Sequence, residues 1–268
     1  MTTLARRLIA PGALGGRRAL LLIERNLRLF RRAPFVILSG AFEPFFYLLG
    51  IGFGLGALVG DLPGPDGRPI PYGVFVAPGL LAASAMNGAM FEATFNFFFK
   101  LRYQKTYDAI LSTPLAVGDI ALGEVLWALM RGALYAVSFI AIAAALGLII
   151  SPLAILAVPV ALLIGFAFGA VGMAVSSFMR TWQDFDLIQL VILPLFLFSA
   201  TFFPVSAYPE PIRSIVALTP LYHGVELARA VMTGIVGPGN LVSVAYLVVM
   251  GLVGLLIVAR RLDRILLK

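Results

Sequence analysis

From Leu153 to Met179 the sequence runs without one charged side chain. That run is long enough for a bilayer, because about 20 consecutive apolar residues cross the hydrocarbon core as an α-helix. Five further stretches are of the same kind: Phe35–Leu58, Phe75–Phe99, Ile120–Ile150, Leu187–Phe203 and Leu241–Ala259. Leu187–Phe203 is short at its strict limits, yet no charge follows it until Glu210. Composition agrees with this reading: 12% of residues are charged, where a soluble domain carries roughly a quarter. The lengths are helical and lack the ten-residue alternation of an outer-membrane barrel. We therefore expect an all-α integral membrane protein with six transmembrane helices. No short apolar core with a small-residue cleavage site opens the chain, so a cleavable signal is not expected. The absence of cysteine removes disulfides, thiol nucleophiles and thiolate metal sites from consideration.

The placement of basic residues sets the expected topology. Arg6, Arg7, Arg17, Arg18, Arg25, Arg28, Arg31 and Arg32 precede the first span. Lys100, Arg102 and Lys105 separate spans two and three, Arg180 follows span four, and Arg260, Arg261, Arg264 and Lys268 follow span six. Sixteen of the 20 basic residues thus fall on one side. The positive-inside rule places that side, and both termini, in the cytoplasm of the inner membrane. The opposite side keeps Arg68, Arg213 and Arg229. The net charge of +7 is read as anchoring to anionic lipid and not as nucleic-acid binding, since no basic cluster sits in a soluble domain.

The expected organisation is a cytoplasmic N-terminus over 1–34, a six-helix membrane domain over 35–259 and a basic tail over 260–268. On a helical wheel, residues 17–32 gather Arg18, Arg25, Arg28 and Arg32 on one face and leucines on the other, which predicts an amphipathic interfacial helix. It is either a plain basic anchor or an elbow that also braces a partner. Residues 60–76 are Pro/Gly-rich turn chemistry and form an outward loop. Over 204–240, Pro204, Pro209, Pro211 and Pro220 break the chain before a short helix at about His223–Thr233, which lies on the outer surface or re-enters the membrane.

Charged groups inside spans cost about 2.5–3.5 kcal/mol each on insertion scales and need a reason. Glu43 precedes Pro44 in span one; Ser84, Gly88, Glu92 and Asn96 make a stripe on span two; Glu124 and Arg131 lie seven apart on span three. Glu43, Glu92, Asn96, Glu124 and Arg131 either face a transport pathway or hold the bundle together through hydrogen bonds and ion pairs. Small residues at four-residue steps, Gly52 with Gly56 and Gly165 with Gly169, suit close helix packing. His223 is the one histidine and reads as an interface residue, so no histidine-rich metal site can be assembled. The lysines are Lys100, Lys105 and Lys268, and none stands in a phosphate loop; the chain does not bind ATP by itself.

One polar island remains, Lys100–Ile120, between two long apolar stretches. Its core, Leu101-Arg-Tyr-Gln-Lys-Thr-Tyr-Asp-Ala-Ile-Leu-Ser-Thr-Pro114, together with Phe91-Glu-Ala-Thr-Phe95, Gly123-Glu124 and Leu218-Thr-Pro-Leu-Tyr-His-Gly-Val-Glu-Leu-Ala-Arg229, resembles the type-2 ABC exporter permeases. Within them it is most similar to the NodJ-like branch, that of the nodulation-factor lipo-oligosaccharide exporter permease. The resemblance implies a half-transporter that pairs with a second copy of itself and with two copies of a separate ATPase, which holds the ATP and Mg. It also implies that a coupling helix within about Leu101–Leu115 seats on the ATPase, so that Arg102, Tyr103, Gln104, Lys105, Thr106, Tyr107 and Asp108 transmit the stroke. The expected cargo is an amphiphile, a lipid-linked saccharide or hydrophobic drug. The competing readings are an ion-coupled secondary transporter using Glu43, Glu92 and Arg131, and a membrane scaffold.

Overall fold

The computed structural model describes residues 18–30, 42, 45–64 and 66–266. Arg32, Glu43 and Lys268 lie outside the described residues. The apolar runs and their caps yield ten helices among the described residues. These are α1 Ala19–Phe30, α2 Phe45–Val59, α3 Tyr72–Tyr103, α4 Thr106–Leu111, α5 Val117–Ala145, α6 Pro152–Ser176, α7 Asp184–Leu197, α8 Glu210–Leu218, α9 Pro220–Thr233 and α10 Gly239–Leu266. Four of them, α3, α5, α6 and α10, are long and apolar enough to cross a membrane. This is a multi-pass helical membrane architecture. Among the described residues its one departure is a hairpin in the Pro/Gly loop, β1 Asp61–Pro63 paired antiparallel with β2 Pro69–Pro71, with Leu62 opposite Ile70.

The charge-free run becomes the centre of the bundle. Helix α6 packs against α3, α5, α9 and α10, which an uncharged helix does at no desolvation cost on any face. One end of the bundle carries α1, Lys100, Arg102, Arg180 and the arginines of α10; we call it the basic end. There Arg102 Nη2 donates to the Met179 carbonyl at 3.3 Å, satisfying a carbonyl just past the end of α6. The Arg261 guanidinium lies over the Phe178 ring at 4.7 Å.

Helix α1 divides into three sectors. Ala19, Leu22 and Asn26 are buried, with Ala19 and Leu22 against Gly123 of α5. Leu20 and Leu27 are exposed apolar residues, and Arg18, Arg25 and Arg28 are exposed charges, Arg28 paired with Glu24. The Arg18 guanidinium donates to the Pro114 carbonyl. The helix thus braces the start of α5 as well as presenting an interfacial face.

Two expected segments end differently. The fifth run was expected to continue to Phe203, but its helix, α7, stops at Leu197. Pro194 removes a backbone donor inside the helix, Ala200 takes a positive φ of 57°, and Arg229 Nη2 captures the Ala200 carbonyl at 2.8 Å. Fourteen residues at about 1.5 Å each give roughly 21 Å, short of a bilayer core. The short helix α9 does not lie on the surface. Leu221, Gly224, Val225 and Leu227–Met232 are buried, with Gly224 against Ile164 of α6 and Ala82 of α3, and Gly234 at its end against Ser151. Its start is packed at mid-bundle and its end reaches the α5–α6 connection at Ser151. His223 sits in that interface, its Nδ1 3.0 Å from Ser243 Oγ and its ring stacked on Tyr246.

Candidate functional site

The α3 stripe and the α5 charges meet face to face. Because α3 and α5 run antiparallel, residues spaced four apart on one helix oppose residues about four apart on the other. Glu92 pairs with Arg131, and eight residues along α3 Lys100 Nζ meets Glu124 Oε2 at 2.7 Å. Asn96 Nδ2 donates to Glu92 Oε2 at 2.6 Å, and Arg131 reaches the Tyr135 hydroxyl at 3.2 Å. Each pair therefore keeps one buried carboxylate neutralised. Glu92 opens a stretch of π-helical winding, Glu92–Asn96, followed by a second at Phe99–Tyr103. Wide winding shifts carbonyls out of register, a feature frequent at functional sites. Ser176 of α6 answers one of them, donating to the Thr94 carbonyl at 3.2 Å.

The Glu92–Arg131 pair forms part of the wall of a cavity of about 1020 Å³ between α3, α5, α6 and α7. Ser84 and Gly88 of the stripe line it too, with Tyr135 and with Gln189 from α7. Helix α7 closes one side of the cavity with its inner face, where Ile188, Ile192 and Phe196 pack toward the bundle. Trp182 and Phe185 pack on Phe95 at 5.1 and 5.8 Å between ring centroids. On its outer face, Leu187, Leu190 and Val191 are all more than half exposed. The stripe residue Asn96 supports Glu92 and does not line the cavity, and Glu124 lies one step nearer the basic end. A void of about 10 Å³ separates the Glu92 and Glu124 sides of the interface.

The polar island resolves into two surfaces. Lys105 has a positive φ of 48°, so it breaks α3 from α4 and turns the chain through a conformation few non-glycine residues adopt. Beyond it Tyr107 and Ile110 are buried, while Lys105, Asp108, Ala109 and Ser112 are exposed one helical face away. Arg102, Tyr103 and Gln104 are exposed as well, and Thr106 is half-buried. Tyr107 therefore roots the helix and is not on its outer face. Its ring packs on Phe97 at 5.6 Å, and burial together with the nearby Glu124 carboxylate pushes its hydroxyl well above the usual tyrosine range.

Residues 17–233 match the ABC-2 type transporter family. The chain belongs to that family. It is also 36% identical over 218 residues to Nodulation protein J of Sinorhizobium fredii, covering 81% of each chain. To Nodulation protein J of Rhizobium leguminosarum bv. trifolii it is 37% identical over 213 residues, 79% of each. Its match to the bv. viciae protein is 35% over 222 residues, 82% of this chain and 84% of the relative. As an ABC-2 family chain it is a transporter's membrane component, and the stretch that matches includes α1, the island and α9.

Two site features of this ABC-2 chain escape sequence reading. Arg229, counted above among outer-side charges, is only 5% exposed, paired with Glu226 at 2.9 Å and stacked over Phe75 at 4.2 Å. Its i, i+3 spacing from Glu226 is the one sequence signal for that pair. Gln189, a lone amide within Leu187–Leu193, is the polar group that α7 contributes to the cavity.

Proposed function

We propose that this chain is the permease half of an ATP-driven exporter that moves an amphiphile out across the inner membrane. In this reading α2 and α7, the latter extended by the apolar stretch 198–203, complete six spans with the four long helices and leave both termini and the basic end in the cytoplasm. Two copies form the pathway, and two ATPase subunits, carrying the ATP and Mg, dock on α4. One observation carries the reading: α4 is a short polar helix rooted in the bundle by Tyr107 and Ile110, with Lys105 and Asp108 left outward. A rigid foot of that kind transmits force only if the partner contacts its two states differently. The exposed Arg102, Tyr103 and Gln104 extend the docking surface, and α1 flanks it through Arg18. The amphiphile reading, a lipid-linked saccharide or hydrophobic drug, is supported by a cavity with rings on its walls and one polar cluster. Family membership leaves the ion-coupled alternative without an observation of its own.

The test is co-reconstitution with the cognate ATPase in liposomes. Reversing the outward charges, Lys105→Glu with Asp108→Lys, should lower ATPase stimulation and export about tenfold or more, the scale of losing one interface hot spot. The thermal midpoint should stay where it was, since exposed substitutions usually shift stability by less than about 0.5 kcal/mol. Export that survives the reversal, or uptake driven by a proton gradient without ATP, overturns the reading.

A further inference from the structure

The charges on the cavity wall cancel, and its other polar groups are uncharged. Among the described residues, the ionised side chains that line the cavity are Glu92 and Arg131, and they are paired with each other. Lys100, the next cation along α3, is held by Glu124 at 2.7 Å. Arg102 and Arg180, at the basic end, do not line the cavity. Asn87 from α3 and Gln189 from α7 bring amides to it and make no side-chain hydrogen bond among the described residues. The Ser84 hydroxyl, one turn before Gly88 on the same stripe, is buried and has no partner. A buried hydroxyl left open is costly and calls for an explanation. An occupant of the cavity with hydrogen-bonding groups of its own supplies one.

We propose that this cavity selects amphiphiles whose polar part is uncharged and rejects anionic ones, phosphate-linked heads included, with Ser84, Asn87 and Gln189 as the specificity-determining residues. The proposal rests on the exporter reading above and narrows its substrate class. A head carrying hydroxyls or amides exchanges hydrogen bonds with these three side chains and satisfies Ser84. An anionic head finds only Arg131, already neutralised by Glu92. Binding it means stripping Arg131 from Glu92 or leaving an unpaired charge in a low-dielectric pocket, and both are costly. This is specificity by a penalty against the wrong ligand as well as by contacts to the right one. The apolar part of either amphiphile meets the same walls, Phe91 and Phe95 among them, so the discrimination falls on the charge of the head. In a symmetric pair a second copy brings the same wall and the same balance of charge.

The chain contains no cysteine, so Gly88→Cys puts a single thiol on the cavity wall, where an added Cβ meets nothing within 4 Å. Its labelling by N-ethylmaleimide is followed in phosphatidylcholine nanodiscs, with octyl glucoside or octyl phosphate added below the micelle concentration. Leu190→Cys, at a position 71% exposed on the outer face of α7, reports any general effect on the membrane. Octyl glucoside should protect Gly88→Cys saturably and leave Leu190→Cys unchanged. Octyl phosphate should need at least about tenfold more ligand for half-protection, well under the cost of breaking a buried ion pair. With Gln189→Leu added, half-protection by octyl glucoside should need about threefold to tenfold more ligand, as for one lost hydrogen bond. Gln189→Arg instead adds an uncommitted cation at an exposed position of α7 and should make octyl phosphate the better protector. If octyl phosphate protects the parent thiol as well as octyl glucoside does, the charge selectivity is wrong and the exporter reading stands. If neither protects it, the cavity is not the binding site and the proposal falls alone. Failure of the exporter reading shows separately, as absence of ATP-driven export by the co-reconstituted parent.

Discussion

Arg131→Leu should lower the thermal midpoint of the detergent-purified protein more than Glu92→Leu, although both remove the same ion pair. Breaking a buried pair from one side costs about 3–5 kcal/mol, because the charge left behind is unsolvated. Glu92 is the deeper member, its side chain 7% exposed against 19% for Arg131. Stranded by Arg131→Leu, it keeps only the Asn96 amide among the donors seen here. Stranded by Glu92→Leu, Arg131 still reaches Tyr135 and the cavity. At roughly 2–4 °C per kcal/mol for a chain of this size, the Arg131→Leu drop should exceed about 6 °C. The exchange Glu92→Arg with Arg131→Glu should recover part of the loss. If both singles leave the midpoint unchanged, the pair contributes nothing to the fold. The exchange also separates the two roles the sequence leaves open. Stability restored with export still absent assigns the pair to the pathway; both restored together assign it to the scaffold.

Much of this site is legible in the sequence because helical spacing is local. The four-residue stripe from Ser84 to Asn96 and the seven-residue step from Glu124 to Arg131 each mark one face of one helix. What spacing does not contain is the register between helices. Lys100 reads as part of the docking island, yet it is the partner of Glu124, because α3 continues helically past the expected span to Tyr103. Tyr107 reads as a docking residue whose rooting in the bundle goes unseen for a related reason: a polar segment shows its composition but not which face of a short helix is buried. Arg229 reads as an outer charge because topology counting assumes that segments between spans stay outside, and α9 goes back in. The early end of α7 depends on Arg229 binding the Ala200 carbonyl across 29 residues of sequence, which no local pattern encodes.

Glycine spacing misleads in the same way, and the difference can be measured with substitutions of opposite sign. Gly165 and Gly169 have the small-residue spacing of a packing motif, but a Cβ there would meet its neighbours at 3.7 and 3.8 Å, ordinary van der Waals contact. A tight helix approach is found instead where α10 crosses α6. A Cβ on Gly254 would lie 2.7 Å from the Val171 nitrogen and 2.8 Å from the Ala170 carbonyl carbon, and one on Gly251 would overlap the Phe166 ring. Backbone atoms of the central helix cannot step aside as a side-chain tip can. Gly254→Ala should therefore cost about 1–3 kcal/mol, the usual scale of overpacking, and outweigh the better helix propensity of alanine. Gly169→Ala meets no such obstacle and should stabilise by up to about 1 kcal/mol through that propensity. Gly254→Leu should prevent α10 from seating on α6 and remove the folded, monodisperse species from size-exclusion profiles. Equal midpoints for Gly254→Ala and Gly169→Ala would mean that α10 does not approach α6 this closely, and the central position of the charge-free helix would have to be redrawn.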